Sequence, residues 1–323
     1  MDYLRLSMMW RPGLVRITVF GAGGIGLYFA GMLARAGHQI TVVGRAATVR
    51  AAHAGPLLLS RAGEESSIPD VRVVTEFGPR EEPADLVIVA VKAWQVREAA
   101  EALKPVVGPH TTVLPLQNGV EAAADLAAVL GAERVLGCTC IVIAQRVAPW
   151  SVRCLGAHAE VEIGALAPDS HERVESVVDA LVPAGIAVTR SDDIEATLWR
   201  KLMLISSYGG VGALARQPVG VTSAEPETAA LVRAAMAEVR EVAHARGIAL
   251  GDDDVDQMMK IYEGFSPATT ASMQRDLAAG RPSELHYQSG AVVRFGRAAG
   301  VATPIHQVIF ASQLPTETLA RQG

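Results

Sequence analysis

Short β-branched runs alternate with Ala- and Leu-rich stretches through the first half of this chain. The apolar runs predict strands at residues 15–20, 39–43, 85–91 and 111–116, and a helix at 26–36. Alternation of strand and helix produces a parallel sheet with helices on both faces. Four shorter strands are predicted at 135–143, 151–155, 160–163 and 186–189, and we interpret them as the outer part of the same sheet.

The pattern changes at Ser191-Asp192-Asp193, which is typical of a helix start because acidic side chains are favoured near the first turn. From there the pattern is helical and contains no strand of convincing length. Helices are predicted at 194–207, 227–246, 253–264 and 283–299. We therefore expect an α/β domain at 1–191 followed by an all-helical domain at 192–323.

Composition excludes several classes of protein. The 323 residues suffice for two domains, and 50% of them are hydrophobic, so a large core can form. The net charge of −5 comes without a basic block, which argues against a nucleic-acid partner. No apolar run reaches the roughly 18 residues of a membrane span. We expect a cytoplasmic protein with no membrane partner.

Residues 1–13 contain no apolar segment followed by a cleavage site, so they do not resemble a signal peptide. A disordered extension, and a translation start at Met8 or Met9, are alternatives that the sequence leaves open. The cysteines Cys138, Cys140 and Cys154 fit neither a metal-binding spacing nor a secreted disulfide framework. We interpret Cys138-Thr139-Cys140 as part of a buried strand, and we predict no metal site.

The first strand leads directly into Gly21-Ala22-Gly23-Gly24-Ile25-Gly26, which fits the GxGxxG pattern. The first Gly permits a tight turn, the second lets the backbone approach a pyrophosphate, and the third lets the helix pack on the strand. The position between a strand and a helix is the context that the motif requires. We predict a Rossmann-type domain with Gly21, Gly23, Gly24, Ile25 and Gly26 at a dinucleotide. An ordinary Gly-rich turn is the alternative.

The second strand ends at Val42-Val43-Gly44-Arg45, where an NAD-binding loop usually has an acidic residue for the ribose hydroxyls. Arg45 suits a 2′-phosphate instead, because its planar, permanently charged guanidinium matches phosphate oxygens. The sequence therefore predicts NADP(H) as the cofactor. A solvated surface arginine is the alternative.

The rarest polar residues indicate the chemistry. The chain has one asparagine, Asn118, and only four lysines among 29 basic residues: Lys92, Lys104, Lys201 and Lys260. Arginine stays charged at any relevant pH, whereas a lysine can release a proton. The lysines that persist in an arginine-rich chain therefore suggest acid–base chemistry. Chance survival of each lysine is the alternative.

Five motifs in order resemble the ketopantoate reductase (2-dehydropantoate 2-reductase) family. After the glycine loop come Val91-Lys92-Ala93-Trp94-Gln95, Leu116-Gln117-Asn118-Gly119 and Trp199-Arg200-Lys201-Leu202, and then Ser272-Met273-Gln274-Arg275-Asp276 with Gly280-Arg281-Pro282-Ser283-Glu284. The resemblance runs from about Val15 to Pro304, nearly the whole chain.

The resemblance implies reduction of a 2-oxo acid by NADPH to the (R)-2-hydroxy acid. It implies that Lys201 is the general acid, Glu284 a carboxylate near the nicotinamide and this lysine, and Asn118 an amide that orients both lysine and substrate. Lys92 corresponds to a cofactor-side residue, and Ser272 to a hydroxyl that holds the substrate carboxylate. Such groups suit the reaction, because hydride addition leaves negative charge on oxygen, which an ammonium stabilises and protonates.

This chain departs from the family where asparagines would hold the substrate. Ile205 and Gly209 stand four and eight residues after Lys201, on the same helix face, and Thr269 stands three residues before Ser272. We expect apolar surface at Ile205, empty space at Gly209, and a substrate bulkier than ketopantoate, such as a branched-chain or aromatic 2-oxo acid. Tyr208 could line this pocket or pack in the core.

Three rival functions remain open from the sequence. Authentic ketopantoate reductase of pantothenate and coenzyme A biosynthesis is the first, and a non-catalytic NADPH-binding sensor is the second. A 3-hydroxy acid or opine dehydrogenase is disfavoured because no histidine stands in a comparable motif. We expect the partner molecules to be a small 2-oxo acid and a second copy of the chain, in a homodimer.

Overall fold

The computed structural model describes residues 15–156, 159–167 and 170–322, so the extension at residues 1–13 lies outside the described residues. The chain divides into two compact units. The N-terminal unit contains residues up to Val91, Gln95–Gln117 and Ala123–Asp192. The helical unit contains Lys92–Trp94, Asn118–Ala122 and the chain from Asp193 onward. Within the described ranges, no helix is long and apolar enough to cross a membrane.

The N-terminal unit alternates strands and helices along the chain. Its elements are β1 (Arg16–Phe20), α1 (Gly24–Arg35), β2 (Gln39–Val43), α2 (Ala46–Ala54), β3 (Leu57–Arg61), β4 (Glu64–Ile68), β5 (Arg72–Val74), β6 (Leu86–Val89), α3 (Val96–Leu103), β7 (Thr112–Pro115), α4 (Ala122–Leu130), β8 (Leu136–Ile141), β9 (Ala144–Ala148), β10 (Ser151–Cys154), β11 (Glu160–Ala165), α5 (His171–Leu181) and β12 (Ala187–Arg190).

Five parallel strands form the central sheet of this unit, in the order β5-β2-β1-β6-β7. Every residue of β6 is buried, as a strand covered on both faces requires. The adjacent α1 buries Leu27 to Leu33 without interruption, so this helix is enclosed by the core rather than lying on its surface. The α/β architecture predicted from the alternation is confirmed.

The four shorter predicted strands do not extend this sheet, so that part of the prediction is wrong. Strands β9 and β10 belong to a second sheet, β4-β3-β10-β9, and β12-β11-β8 form a third. A single isolated bridge, Val113 to Val135, joins β7 to the segment before β8. The hairpin β3–β4 turns at Ala62-Gly63 with positive φ at both residues, and it supplies the partner strand for β10. Periodicity predicts strands, but not which strands pair.

The three cysteines are buried in this unit, which confirms the interpretation of their apolar context. Cys138 and Cys140 lie in β8 and Cys154 ends β10, and all three belong to the hydrophobic core as free thiols. Their role is therefore that of small apolar side chains.

The helical unit contains seven α-helices in its described residues. They are α6 (Ile194–Ala215), α7 (Val219–Thr222), α8 (Pro226–Ala245), α9 (Asp252–Glu263), α10 (Ser272–Ala278), α11 (Ser289–Ala299) and α12 (Pro304–Gln322). The helix start predicted at residues 191–193 is confirmed, because the Asp193 carboxylate accepts a hydrogen bond from Ala196 N at 3.0 Å.

Other helix predictions need correction. The helix predicted at 194–207 continues to Ala215 and ends at Arg216 in the left-handed region, with φ 54°. The helix predicted at 283–299 starts only at Ser289, after a 3-10 turn at Leu285–Tyr287. Helices α7, α10 and α12 were not predicted, because α7 and α10 are short and α12 has Pro315 in its interior.

A buried polar cluster joins three helices of this unit. The Glu238 carboxylate of α8 accepts hydrogen bonds from Ile305 N at 2.7 Å and His306 N at 3.0 Å, which caps the start of α12. It also accepts from His306 Nδ1 at 2.8 Å, and His306 Nε2 lies 3.1 Å from Ser206 Oγ of α6, within hydrogen-bond distance. These paired groups fix the helices in one arrangement.

Candidate active site

The three motif glycines, two in the loop before α1 and one in its first turn, meet different surroundings. Gly21 has φ +116°, and a Cβ there would lie 2.8 Å from the Ala90 carbonyl carbon. A Cβ at Gly26 would overlap the Gly21 carbonyl oxygen, so this position needs glycine for helix packing. A Cβ at Gly23 would have no heavy atom of the described residues within 4 Å. Backbone atoms therefore pack tightly against Gly21 and Gly26, whereas the space beside Gly23 is unoccupied by the described residues.

The open side of the loop suits an anion. The first turn of α1, from Gly24 to Leu27, contains no acidic residue, so the helix N-terminus keeps its partial positive charge. Ile25 packs against the core, and a Cβ at Gly24 would overlap the Ala144 carbonyl oxygen of β9. Arg146 of the same strand donates from Nη1 to Ala22 O at 3.3 Å. Pyrophosphate binding fits this cradle.

Alanine at Gly23 and at Gly26 should have opposite effects. Gly23 has φ −80°, which alanine adopts readily, so Gly23→Ala is expected to fold normally and to weaken NADPH binding by about 1–3 kcal/mol through its methyl group in the cradle. Gly26→Ala is expected to destabilise the N-terminal unit by about 3 kcal/mol. Urea unfolding and NADPH fluorescence titration measure the two effects. Unchanged NADPH affinity in Gly23→Ala would place the pyrophosphate elsewhere.

Arg45 lies at the start of α2, as the residue that precedes the first helical turn. Its backbone is extended, with φ −70°, and its carbonyl accepts hydrogen bonds from Thr48 N at 2.8 Å and Val49 N at 3.2 Å. The side chain is exposed, and the first turn of α2 contains no acidic residue. A permanent positive charge thus stands beside a helix N-terminus, a combination that suits a phosphate group.

Asn118 and Glu284, 166 residues apart in sequence, meet in the helical unit. Asn118 Nδ2 donates to Glu284 Oε2 at 3.2 Å, and Glu284 is buried. Gly119 follows with φ +97°, and a Cβ there would lie 2.8 Å from the Tyr287 carbonyl oxygen. Two backbone segments therefore pack too closely for a side chain at Gly119, and this packing fixes the amide beside the carboxylate.

Lys92 meets a carboxylate to which the sequence assigned no role. Its Nζ lies 3.4 Å from Asp276 Oδ2, and Asp276 Oδ1 accepts from Arg281 Nε at 3.1 Å and Nη2 at 2.9 Å. Asp276 stands one turn after Ser272 in the same motif, which was the available signal. Arg281 therefore holds this carboxylate, which pairs with the exposed ammonium of Lys92.

Helix α6 carries four of the predicted residues. Lys201 and Ile205 are half-buried. The Tyr208 ring lies 5.3 Å from Phe265 and 6.2 Å from Tyr262, measured between ring centroids, at the edge of the helical core. Burial raises the pKa of the Tyr208 hydroxyl, and the nearby Arg275 guanidinium partly opposes this shift. The Tyr208 ring therefore packs against the edge of the helical core and stays partly exposed.

The expectation of empty space at Gly209 is wrong. A Cβ at this buried glycine would lie 2.7 Å from Ala271 Cβ, the residue before α10. Because Gly209 has no side chain, the start of α10 packs directly against the backbone of α6. Gly209 therefore contributes close helix packing and no additional volume for a substrate.

A reciprocal exchange tests this contact. Gly209→Ala is expected to lower the free energy of unfolding by about 1–3 kcal/mol because two methyl groups would collide. Ala271→Gly in the same protein should restore most of the loss, since it removes the opposing methyl group. Urea denaturation of the wild type, both single variants and the double variant measures the coupling. Additive effects would mean that the two positions do not touch.

Thr269 and Ser272 flank Ala271 at the start of α10. Ser272 is the first helical residue and is exposed, and Thr269 is half-buried in the preceding loop. The Thr269 carbonyl accepts from Val219 N at 2.9 Å, so its backbone holds the loop before α7. Within the same motif, Gln274 Nε2 donates to Gly212 O at 3.0 Å and Gln217 O at 2.9 Å, which caps the end of α6. Part of this motif therefore serves the fold.

The N-terminal unit supplies a dinucleotide cradle, and the helical unit supplies an amide–carboxylate pair, Asn118–Glu284, and a lysine paired with a carboxylate, Lys92–Asp276. Among residues 15–156, 159–167 and 170–322, no group of three His, Cys, Asp or Glu side chains is arranged to hold a metal ion.

Two family models cover most of the chain. Residues 17–168 match the model described as "Ketopantoate reductase PanE/ApbA", and residues 193–312 match "Ketopantoate reductase PanE/ApbA C terminal". A 2-dehydropantoate 2-reductase of Mesorhizobium japonicum is 31% identical over 92% of this chain and 96% of its own.

Solved structures agree with the family models. A PanE/ApbA family ketopantoate reductase from Ralstonia eutropha is 31% identical, with a TM-score of 0.82 over 95% of this chain and 99% of the other. D-mandelate dehydrogenase bound to NADH and anilino(oxo)acetate has a TM-score of 0.87 over 95% of this chain and 99% of its own, and at 22% identity it shows the fold alone. The chain belongs to the ketopantoate reductase family and is an oxidoreductase of the kind that acts on CH-OH groups with a nicotinamide cofactor.

Proposed function

We propose that this protein is an NADPH-dependent reductase that converts a 2-oxo acid to the (R)-2-hydroxy acid. The observation that carries the proposal is the bond from Asn118 Nδ2 to Glu284 Oε2, in a family member that also retains Lys201. A buried carboxylate and a nearby amide are costly to maintain without a use, whereas together they can orient an ammonium and a substrate.

The residues of the N-terminal unit fit the cofactor. In the proposal, Gly21, Gly23, Gly24, Ile25 and Gly26 hold the pyrophosphate, because Gly23 is open and the α1 N-terminus lacks acidic residues. Arg45 holds the 2′-phosphate, which favours NADP(H) over NAD(H). In the helical unit, Lys92, Asn118 and Glu284 are the further cofactor-binding residues of the proposal. The cofactor, when bound, supplies the hydride.

The chain's own residues supply the proton and the orientation. Lys201 Nζ donates a proton to the ketone oxygen as negative charge develops on it, and its own charge stabilises that oxygen. The Glu284 carboxylate orients the Lys201 ammonium, and the Asn118 amide orients both lysine and substrate. The Ser272 hydroxyl, exposed at the first turn of α10, binds the substrate carboxylate at the helix N-terminus.

We propose a substrate with a larger apolar group than ketopantoate. Ile205 presents aliphatic surface one turn after Lys201, and Tyr208 adds an aromatic ring on the same helix. Thr269 is the polar residue that remains near Ser272, and Gly209 adds no room because Ala271 fills its space. Branched-chain or aromatic 2-oxo acids match this lining.

Steady-state rates test the function and the substrate class together. NADPH oxidation is measured with ketopantoate, 2-oxoisovalerate, 2-oxoisocaproate and phenylglyoxylate. Faster turnover of a bulkier acid would support the proposal. Clear preference for ketopantoate would instead support authentic ketopantoate reductase of pantothenate and coenzyme A biosynthesis. The 31% identical relative is named 2-dehydropantoate 2-reductase. Turnover of none would favour a non-catalytic NADPH-binding sensor, which the retention of Lys201, Asn118 and Glu284 disfavours.

The proposal also includes the oligomeric state and the cellular location of the protein. We propose a homodimer because α12 leaves Val308 and Leu319 more than half exposed, at 60% and 70%, and apolar side chains on a helix are commonly covered by a second copy. A cytoplasmic location fits an enzyme that depends on the NADPH pool and has three free thiols. Light scattering and fractionation measure the two properties.

A further inference from the structure

The C-terminal helix carries a buried carboxylate for which the proposed reaction has no use. Glu317 of α12 is fully buried. Its Oε2 accepts hydrogen bonds from Ser283 N at 2.9 Å and Ser283 Oγ at 2.6 Å, and its Oε1 accepts from Arg321 Nε at 2.5 Å. A buried charge is costly unless it is paired and hydrogen-bonded, so this carboxylate requires both partners.

Arg321 completes the set of bonds around Ser283. Its Nη2 donates to Ser283 O at 2.9 Å, so the amide, hydroxyl and carbonyl of Ser283 all bind the Glu317–Arg321 pair. The Ser283 hydroxyl oxygen also accepts from Leu285 N at 3.2 Å. Because Ser283 immediately precedes Glu284, these bonds fix the backbone on both sides of the carboxylate that meets Asn118.

The same guanidinium contacts a second candidate segment. Arg321 Cζ lies 4.3 Å from the centroid of the Trp94 ring, and Lys92 Nζ lies 5.9 Å from that centroid. A planar guanidinium stacks on an aromatic ring, whereas an ammonium lacks this geometry. One arginine side chain thus touches both the Lys92–Trp94 segment and the residue before Glu284.

We propose that Glu317 and Arg321 are positioning residues, which hold Glu284 and the Lys92–Trp94 segment in the geometry that the reduction requires. The inference rests on the proposed function, in which Glu284 orients the Lys201 ammonium. Neither residue touches the reacting atoms in this proposal. The pair acts through Ser283 and Trp94, and the end of α12 therefore determines how well the amide–carboxylate pair is aligned.

Arg321→Lys is the informative variant. It keeps a cation beside Glu317, so the protein should fold, but it loses the second hydrogen bond and the planar stacking. We expect kcat to fall on the order of 10- to 100-fold, because small misplacements of catalytic groups are costly. Arg233→Lys is the matched control, since Arg233 is an exposed helix arginine paired with Asp256, and its kcat should be unchanged.

A double-mutant cycle separates positioning from general destabilisation. If Arg321 acts through Glu284, Arg321→Lys should have almost no further effect on kcat in a Glu284→Gln background. The same fold-loss in both backgrounds would overturn the proposal, since the effect would then bypass Glu284. Ser283→Ala, which removes the hydroxyl's bonds to Glu317 and to Leu285 N, should show the same dependence on Glu284 with a smaller loss.

Amide hydrogen exchange provides a readout that needs no turnover. Arg321→Lys should accelerate exchange at residues 283–287 and 92–94, and Arg233→Lys should not. Unchanged exchange in these segments would overturn the proposal. If the wild type reduces no 2-oxo acid, the proposed function fails by itself. Hydrogen exchange then still tests whether Glu317 and Arg321 hold the two segments. The double-mutant cycle then compares dissociation constants for NADPH instead of kcat values.

Discussion

Lys201→Met should lower kcat for 2-oxo acid reduction by about 100- to 10,000-fold, the range that a general acid contributes. Methionine keeps the length of the side chain and favours a helix, so α6 should form normally. The buried neighbours Trp199 and Leu202 stay in the core. NADPH affinity should change little, because the proposal assigns Lys201 to the substrate oxygen. Stopped-flow or steady-state absorbance gives kcat, and fluorescence titration gives the affinity.

The control for this prediction is Lys260→Met, which makes the same change at an exposed lysine on α9. It should leave kcat unaltered. A kcat for Lys201→Met within a few-fold of the wild type would show that the proton comes from another donor, and it would remove the central assignment of the mechanism. Recovery of Lys201→Ala activity by added methylamine would show that the missing group is an ammonium.

Four of the five strands of the central sheet were predictable because they obey a local rule, whereas the short edge strand β5 was not predicted. Strands β1, β2, β6 and β7 are short apolar runs separated by helix-length stretches, and this pattern favours parallel pairing in a layered sheet. The second and third sheets followed no such rule. Their strands are equally short, and β10 pairs with β3, which precedes it by about ninety residues in sequence. The pairing of strands depends on turns and tertiary packing, and the hydrophobic periodicity of the sequence contains information on neither.

The candidate site shows the same division. Asn118 and Glu284 were identified from motifs, and the structure adds that a glycine with φ +97° lets their backbone segments pack together. Asp276 and Glu317 were not assigned, because a carboxylate in a helix sequence does not reveal which cation it meets. Gly209 was misjudged for a related reason. A glycine indicates that no side chain is present, but the neighbouring helix decides whether the space stays empty.

Arg45→Asp should reverse the cofactor preference. Each charge-assisted bond to a phosphate is worth about 1.5–3 kcal/mol, so the loss of two such bonds should lower kcat/KM for NADPH by at least 100-fold. An aspartate could accept hydrogen bonds from the ribose hydroxyls of NADH, so kcat/KM for NADH should hold or rise. The ratio of the two values is measured with one 2-oxo acid at fixed ionic strength.

Arg50→Asp makes the comparison specific, because Arg50 is an exposed arginine on the same helix and the charge change is identical. A general electrostatic effect on a polyanionic cofactor would lower NADPH use equally in both variants and would weaken with added salt. A contact with the 2′-phosphate predicts a large change at Arg45 alone. Equal effects would make Arg45 a solvated surface residue, and the choice between NADPH and NADH would then have to arise elsewhere around the glycine loop.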